Sequence, residues 1–460
     1  MILRDYQKRD LADIWTLFQQ GCRRVCHVMP TAGGKTVVFV SLVAWLAAKG
    51  YRIVIVVHRQ ELVDQTCEAL VAVGLTFGVI ASGHAENSDA LVQVAMAQTL
   101  VRRLDRLKDV AFLVVDEAHH ALAETWRMIL NSAPQAYLLG CTATPERLDG
   151  AGLEAVFDKL VGNSTVREGI ENRWLSGFVI FVPERLVDLS GTRAVAGDFV
   201  VSDLAERMGS RRVLADVRDE FHRRFAGRTA IAFCPTIAHS HLTAADLRNG
   251  GIRAQHVDGD TPASERRALI AALETGEVQV LCNCSLISEG LNVPSVGGII
   301  DLRPTKSLAR YLQQVGRALR PADGKNRAII LDYAGNVFRH GMPDLDREWT
   351  LAGRPKKLGK ALVRRCPECG TAIPISVHWC PECQADLHPG QVKPVIVPDP
   401  LVELDPAIAQ QRWLATSSFK HVISWAGNDE TRLRAIAEAR GYRPGWIYHR
   451  LKPSRQQLSP

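Results

Sequence analysis

The stretch MPTAGGKT, residues 29–36, follows the apolar run RRVCHV and precedes a segment with apolar residues at helical spacing. A strand, a glycine-rich turn and a helix in this order are typical of a loop that binds nucleotide phosphates. Gly33 and Gly34 allow backbone N–H groups to face phosphate oxygens, and the start of the helix adds partial positive charge. This stretch therefore predicts an α/β domain that binds a nucleotide.

The residues around these glycines would contact the nucleotide directly. We expect Thr31 to line the loop, Lys35 to contact the β- and γ-phosphates of ATP, and Thr36 to offer its hydroxyl to Mg²⁺. The loop departs from the strict pattern, because Met29 stands where the first glycine would be. The sequence thus predicts ATP and Mg²⁺ as ligands.

The stretch DEAHH, residues 116–120, follows the apolar run VAFLVV, so Asp116 would lie at the end of a strand. There Asp116 would hold the metal through a water, while Glu117 would orient the attacking water and accept its proton. Adjacent carboxylates in a loop are common, but beside a phosphate-binding loop they predict ATP hydrolysis.

Short apolar runs rich in β-branched residues alternate with helix-like segments in the first part of the chain, and a second such series starts near residue 211. Both series are typical of parallel strands covered by crossover helices, and they predict two α/β domains. The predicted divisions are a first domain at 1–165, a connector at 166–210, a second domain at 211–340, a basic linker at 341–365, a cysteine-rich module at 366–383, a proline-rich linker at 384–405 and a basic aromatic helical tail at 406–460.

The composition is that of an ordinary globular protein, with 47% hydrophobic and 23% charged residues. No apolar run reaches the roughly 18 residues of a membrane span, so we expect no membrane partner. The start MILRDYQKRD is charged, which favours a cytoplasmic protein. Structural disulfides are rare in a reducing compartment, so seven scattered cysteines are expected to be reduced core residues.

The other four cysteines form two CPEC turns separated by ten residues. Two such turns can place four thiolates around one tetrahedral Zn²⁺ ion, and a site with four protein ligands is structural. A redox-active pair is the alternative, although such pairs usually open a helix in a βαβ unit. The predicted zinc ligands are Cys366, Cys369, Cys380 and Cys383.

Residues 353–460 carry 16 Lys and Arg against 9 Asp and Glu, which accounts for the whole net charge of +7. This excess predicts a polyanion partner for the C-terminal part, including the basic flank of the cysteine-rich module. In the tail, Arg residues alternate with Tyr442, Trp446 and Tyr448, which can stack on bases. The alternative is a small helical hairpin whose aromatic residues form its core.

In this order the motifs resemble those of superfamily 2 helicases, over both α/β domains. LRDYQ resembles the motif that reads adenine, with Gln7 as the base contact. The resemblance implies two tandem RecA-like domains, followed here by a zinc ribbon and a short helical segment. The layout resembles that of the RadD-like group, whose members also carry a cysteine-rich module, and that of the motor subunits of restriction systems.

Further motifs that resemble those of superfamily 2 helicases imply roles for other residues. The stretches VVHRQELVDQ and QT are similar to motifs that grip nucleic acid, which implies contacts from His58, Arg59, Gln65, Gln98 and Thr99. The motif TATP implies that Thr142 and Thr144 couple hydrolysis to domain movement, and that His119 links the metal site to the second domain. In the second domain, SEGLNVP and QQVGRALR imply nucleotide contacts from Gly290 and Gln313.

The last of these motifs also implies that Arg317 and Arg320 stabilise charge on the transferring phosphoryl group. Solvated helix charges are the alternative for both. If the second domain supplies these arginines, the cleft is complete only when the domains close, and hydrolysis lets them part. Gln314 stands where many relatives carry Arg, which would alter phosphate contacts.

The resemblance implies an ATP-dependent DNA helicase or translocase acting on single-stranded or branched DNA. An RNA helicase is one alternative, since RNA would be moved by the same chemistry. The other is an adaptor that binds nucleic acid and uses ATP only as a switch. Stimulation of ATP hydrolysis by DNA or by RNA would separate these hypotheses.

Overall fold

The computed structural model forms two units, Met1–His388 and Pro389–Pro460, each with its own hydrophobic core. Among the residues that it describes, no helix is long and apolar enough to cross a membrane. The described residues are 2–85, 87–147, 150–162, 164–195, 198–284, 286, 296–353, 362–387, 410–411, 414–415, 417, 419–427, 429–443 and 445–447.

The first lobe, residues 2–162, is a seven-stranded parallel sheet with helices around it. The strand order is β3-β4-β2-β5-β6-β1-β7. All five residues of β2 are buried, as expected for a parallel strand covered on both faces. Its elements are α1 (Asp5–Gln19), β1 (Arg24–Val28), α2 (Lys35–Ala48), β2 (Ile53–Val57), α3 (Gln60–Ala72), β3 (Phe77–Ile80), β4 (Val92–Met96), α4 (Ala97–Leu100), β5 (Phe112–Asp116), α5 (Glu124–Ser132), β6 (Tyr137–Thr142) and β7 (Lys159–Val161), with 3₁₀ turns at Leu104–Leu107 and Ala118–His120.

The three strands that precede the nucleotide motifs are neighbours in this sheet. β6 lies between β1 and β5, with Val28 opposite Thr142 and Asp116 opposite Cys141. Because all strands are parallel, the loops that follow them leave the sheet at the same edge. The phosphate-binding loop, DEAHH and TATP therefore meet at one end of the first lobe.

The second lobe, residues 164–340, contains a six-stranded parallel sheet in the order β12-β13-β11-β14-β15-β8. Together the two sheets confirm the predicted pair of parallel α/β domains. The elements of this lobe are α6 (Val166–Glu171), β8 (Gly177–Phe181), β9 (Ala194–Val195), β10 (Asp198–Phe199), α7 (Val201–Met208), α8 (Arg211–Phe225), β11 (Ala230–Phe233), α9 (Ile237–Asn249), β12 (Ala254–Val257), α10 (Ala263–Thr275), β13 (Val280–Asn283), β14 (Gly298–Asp301), α11 (Leu308–Ala318), β15 (Arg327–Asp332) and α12 (Asn336–His340).

The segment predicted as an irregular connector, 166–210, is largely structured and belongs to the second lobe. β8 pairs in parallel with β15 at the edge of the second sheet, and Trp174 and Leu175 lie in the core of this lobe. β9 and β10 form a short antiparallel hairpin, and Leu204 of α7 is buried. The prediction missed β8 because a single short apolar run does not reveal its pairing partner.

The first part of the predicted basic linker crosses back to the first lobe. The N–H group of Leu153 donates a hydrogen bond of 2.7 Å to the carbonyl oxygen of Leu351. Trp349 packs against the cores of both lobes. Residues 341–353 therefore form a strap between the lobes, while residues 354–361 lie outside the described part of the chain.

The cysteine-rich module follows with two antiparallel strands, β16 (Val363–Arg365) and β17 (Ala372–Pro374). It continues the edge of the second sheet, because the N–H group of Val182 donates a 3.0 Å hydrogen bond to Gly370. Arg327 of β15 forms an ion pair of 2.6 Å with Glu382. The module is therefore attached to the second lobe.

The C-terminal unit is helical in its described residues, with α13 (Phe419–Ala426) and α14 (Glu430–Ala439). Tyr442 and Trp446 pack against its small core, with ring centroids 5.0 Å apart. For Tyr442 and Trp446 the structure therefore agrees with the second prediction for this tail, in which the aromatic residues form a core. Tyr448 lies outside the described part of the chain. The core residues are Leu414, Val422, Ala426, Leu433 and Ile436.

Candidate nucleotide site and nucleic-acid interface

The phosphate-binding loop is held by the first helix of the chain. The hydroxyl of Tyr6 and Nε2 of Gln7 both donate to the carbonyl oxygen of Gly33, at 2.8 and 3.1 Å. Gly34 adopts a left-handed conformation with φ of 88°, and an added Cβ there would lie 2.5 Å from Nε2 of Gln7. Only glycine fits this position, and α2 starts directly after it at Lys35.

This arrangement fits a bound triphosphate, since the loop has glycine at its closest backbone approach and ends on a helix start. Thr31 belongs to the loop and Thr36 lies in the first turn of α2, and their contacts with phosphate and Mg²⁺ stay predictions. The described contacts of Gln7 hold the loop, with its Oε1 accepting from the N–H group of Arg4 at 3.0 Å. Adenine contact by Gln7 stays a prediction.

Asp116 and Glu117 lie at the end of β5, both almost fully buried. Burial raises the pKa of the Asp116 carboxyl to about 6; the Glu117 carboxylate adds to this rise and Lys35 opposes it. Glu117 has a left-handed conformation with φ of 55°, which is unusual for a residue with a side chain. Two adjacent buried carboxylates, with Lys35 near Asp116, form a site where a divalent cation would relieve their repulsion.

The residues expected to couple hydrolysis to movement form a chain of contacts that starts at Glu117. Nδ1 of His119 lies 3.3 Å from Oε2 of Glu117 and 3.3 Å from Oγ1 of Thr142. Oγ1 of Thr142 donates a 2.9 Å hydrogen bond to the carbonyl oxygen of Thr144. These contacts join DEAHH to TATP within the first lobe, so a link from His119 to the second lobe stays a prediction.

The helix that carries Gln313 and Arg317 packs directly on the phosphate-binding loop. A Cβ added to Gly316 of α11 would lie 2.4 Å from Cβ of Thr31, so only glycine permits this approach. Gln313 and Arg317 are buried on α11. Burial lowers the pKa of Arg320 to about 9, and the Arg317 guanidinium adds to this effect. Arg317 and Arg320 thus lie close enough to affect each other, and the helix that carries Arg317 packs on the loop through Gly316.

Among the predicted nucleic-acid contacts, Arg59 touches the second lobe, and Gln98 bonds to the neighbouring His58. Nη1 of Arg59 donates a 3.2 Å hydrogen bond to the carbonyl oxygen of Leu286 in the second lobe. Nε2 of Gln98 donates at 3.1 Å to the carbonyl oxygen of His58, whose ring lies 4.6 Å from that of His120.

Gln65 and Thr99, the other two predicted contacts, are partly buried in the same lobe. Gly290, predicted from the motif SEGLNVP, lies outside the described residues. For these three positions the sequence interpretation stays a prediction.

The four CPEC cysteines converge in the module. Their sulfur atoms lie within 4.8 Å of one another, with 3.7 Å between Cys366 and Cys383 and 3.6 Å between Cys369 and Cys380. A tetrahedral zinc site with bonds of about 2.3 Å has sulfur–sulfur edges of about 3.8 Å. The cluster is therefore compatible with zinc, and these sulfur distances are far longer than a disulfide bond.

Sequence reasoning missed contacts that join distant parts of the chain. Tyr6 stacks on Trp174 of the second lobe, with ring centroids 4.2 Å apart. Glu61 of α3 forms an ion pair of 2.8 Å with Arg266 of α10 across the lobes. No local pattern in the sequence signals either pair, since each depends on how the two lobes meet.

Family models match both lobes of this chain. Residues 1–147 match the model described as type III restriction enzyme, res subunit. Residues 213–322 match the model described as helicase conserved C-terminal domain. The two matches cover the phosphate-binding loop, DEAHH and the helix with Arg317.

Two relatives share most of the two-lobed part. The chain is 32% identical over 363 residues to a 51.5 kDa protein of a Lactococcus phage, covering 78% of this chain and 77% of that one. It is 30% identical over 355 residues to a Saccharomyces cerevisiae protein named for ATP-dependent helicase activity, IRC3, covering 73% of this chain and 52% of that one. The chain thus spans about half of the yeast relative.

A solved structure shares the fold. It is the ATP-dependent type ISP restriction-modification enzyme LlaBIII bound to DNA, with a TM-score of 0.54 and 16% identity. The similarity covers 72% of this chain and 28% of that one. At this identity the likeness concerns the fold alone.

Proposed function

Since this chain belongs to the superfamily 2 helicases of the restriction-translocase type, we propose that it is a motor that hydrolyses ATP to move along DNA. Its helicase domains make it a nucleic-acid-dependent ATPase. The observation that carries the proposal is the packing of Gly316 on Thr31, which brings the helix with Arg317 onto the phosphate-binding loop.

In the proposed reaction, residues of both lobes act on one nucleotide. Lys35 binds the β- and γ-phosphates, and Glu117 orients a water and accepts its proton. Arg317 and Arg320 stabilise the charge that develops on the γ-phosphoryl oxygens. A Mg²⁺ ion held through Asp116 and Thr36 would supply further charge neutralisation when bound.

Movement would follow from the loss of this shared contact. After hydrolysis the arginines no longer face a γ-phosphoryl group, so the attraction between the lobes weakens. The pairs Arg59–Leu286 and Glu61–Arg266 join the two lobes and would have to break as the lobes part. Nucleic acid gripped by both lobes would then be moved by one step.

We further propose that the CPEC cluster holds a structural Zn²⁺ ion. Four thiolates at tetrahedral spacing leave no open position for a substrate. Because the module is attached to β8 and β15, the metal would stabilise the outer edge of the second sheet.

The choice of DNA rests on the resemblance to restriction-type motors, which the match of residues 1–147 to a restriction-enzyme subunit supports. The experiment is to measure the ATPase rate with single-stranded, forked and duplex DNA and with RNA of the same sequence. Lys35→Ala serves as the control for contaminating ATPases. Strongest stimulation by single-stranded or forked DNA is expected.

Two outcomes would replace this proposal. Equal or greater stimulation by RNA would favour an RNA helicase, because the same cleft would then be driven by the other nucleic acid. An ATPase rate that no nucleic acid changes would favour an adaptor in which ATP acts as a switch.

A further inference from the structure

Asp198, at the start of β10, contacts the helix that carries Arg317. Its Oδ1 accepts a 2.7 Å hydrogen bond from the N–H group of Lys306, and its Oδ2 accepts one of 2.9 Å from the hydroxyl of Thr305. The guanidinium of Arg310 donates to the same Oδ2. One carboxylate from the β9–β10 hairpin therefore receives three donors at the start of α11.

The start of α11 is further fixed by its own turn. Oγ1 of Thr305 accepts from the N–H group of Ser307 at 3.0 Å, and Oγ of Ser307 accepts from that of Arg310 at 3.4 Å. Oδ1 of Asn336 accepts from the N–H group of Thr305 at 3.0 Å. In this network Asp198 alone comes from the segment that precedes α8.

The geometry of α11 connects Asp198 to the nucleotide cleft. Arg310 and Arg317 are seven residues apart, so they lie on one face of the helix, separated by about 10 Å along its axis. Asp198 contacts Arg310 near the start of α11, and Gly316 packs against Thr31 near its end. A shift at the start of α11 is therefore transmitted to Arg317, because a short helix moves as a rigid body.

We infer that Asp198 is a positioning residue for ATP hydrolysis, which sets α11 so that Arg317 reaches the transferring phosphoryl group. This inference rests on the role proposed for Arg317. A negative charge beside the start of α11 also favours the helix dipole. Misplacing a catalytic group by about 1 Å can cost about 100-fold in rate, so a single carboxylate outside the cleft can matter for turnover.

A purely structural role for Asp198 makes a different prediction. The adjacent Phe199 ring lies under Nζ of Lys306 at 4.8 Å, so the hairpin would remain attached to the second lobe without the carboxylate. If Asp198 only stabilised the fold, its replacement would lower the melting temperature and leave kcat unchanged. A fall in kcat with an unchanged KM for ATP is specific to positioning.

The test compares Asp198→Asn and Asp198→Ala with Asp203→Asn. Asp203 on the adjacent α7 accepts from Arg193 in a bidentate pair, so its variant loses a similar ion pair without touching α11. For the Asp198 variants we expect kcat of the DNA-stimulated ATPase to fall at least about tenfold, with KM for ATP within about twofold. Asp198→Glu should recover part of kcat, and Asp203→Asn should match the wild type.

The inference is wrong if Asp198→Asn keeps kcat within about twofold of the wild type, or if Asp203→Asn falls as far. Should Asp198→Ala fail to fold, Asp198→Asn decides, because it preserves the side-chain volume. Arg317→Ala separates this inference from the proposed function. If Arg317→Ala retains full ATPase activity, the proposed role of Arg317 is wrong. If Arg317→Ala loses activity but the Asp198 variants retain it, the positioning role of Asp198 is wrong.

Discussion

The nucleotide cleft and the C-terminal part of the chain use charged residues in opposite ways. In the cleft, burial and the Glu117 carboxylate shift the pKa of Asp116 towards its neutral form. The pKa of Arg320, which follows the helix packed on the loop, is shifted in the same sense by burial and by Arg317. In the cysteine-rich module, Arg365 donates a 3.0 Å hydrogen bond to the carbonyl oxygen of Val182. In the C-terminal unit, Arg440 likewise donates to the carbonyl oxygen of Leu414 at 2.7 Å.

This difference distinguishes charged side chains that would bind a ligand from charged side chains that stabilise the fold. Buried like charges are costly without a ligand of opposite charge, so their retention indicates a binding site. Arginines that donate to backbone carbonyl oxygens satisfy these acceptors, so they contribute less to a surface that binds a polyanion. Arg365 and Arg440 therefore contribute less to a polyanion surface than their charge alone suggests.

The largest effect is expected in the cleft, from Glu117→Gln. This variant should bind ATP but hydrolyse it about 10²- to 10⁴-fold more slowly, since it lacks the base that accepts the proton of water. The matched control is Glu124→Gln, an exposed carboxylate at the start of α5. Steady-state ATPase rates and binding of a fluorescent ATP analogue check this, and equal turnover by the two variants would contradict the base assignment.

In the cysteine-rich module we expect a substitution to remove the metal and to change the ATPase rate little. Cys380→Ser should lose the one zinc ion per chain and expose residues 362–387 to proteolysis, because Cys380 is fully buried in the sulfur cluster. The ATPase rate should stay within about threefold, since the module contacts the end of β8 rather than the phosphate-binding loop. Elemental analysis is the measurement, with Cys67→Ser on α3 as a control that retains zinc. A full zinc content in Cys380→Ser would refute the site.

A buried carboxyl group in the second lobe is expected to make the stability of the protein depend on pH. Burial raises the pKa of the Asp301 carboxyl to about 7, and Asp332 adds to the rise. The folded state then binds this proton more tightly than the unfolded state, so stability falls as the pH rises from about 4 through about 7. Asp301→Asn should flatten the decline in melting temperature between pH 5 and pH 7, measured by thermal unfolding. An unchanged slope would show that Asp301 is not the titrating group.

The smallest effect is expected from removing the C-terminal unit by truncation after residue 388. Arg432 and Arg434, two of its described cations, form pairs with Asp429 and Glu430, so we expect these two to add little to phosphate binding. We expect DNA affinity to fall about three- to tenfold and its salt dependence to weaken by about one or two phosphate contacts. Titration of labelled DNA at several salt concentrations checks this. A loss of several orders of magnitude would make this unit the main DNA-binding surface.

The sequence predicted those parts of the molecule that depend on short local patterns. Apolar runs located most strands of both sheets, and the spacing of glycine, lysine and paired carboxylates located the cleft. It did not reveal β8, the strap at 341–353 or the contacts of Asp198, because each joins segments far apart in the chain. It also could not distinguish arginines that bind phosphate from those that bind carbonyl groups.

The central claim is that one nucleotide site is completed by residues of both lobes. Arg317→Ala tests it most directly, with Arg267→Ala on the exposed face of α10 as the matched control. We predict that Arg317→Ala binds ATP through the first lobe but loses about 10³-fold or more in DNA-stimulated kcat, while the control matches the wild type. Wild-type turnover by Arg317→Ala would contradict a cleft shared by the two lobes.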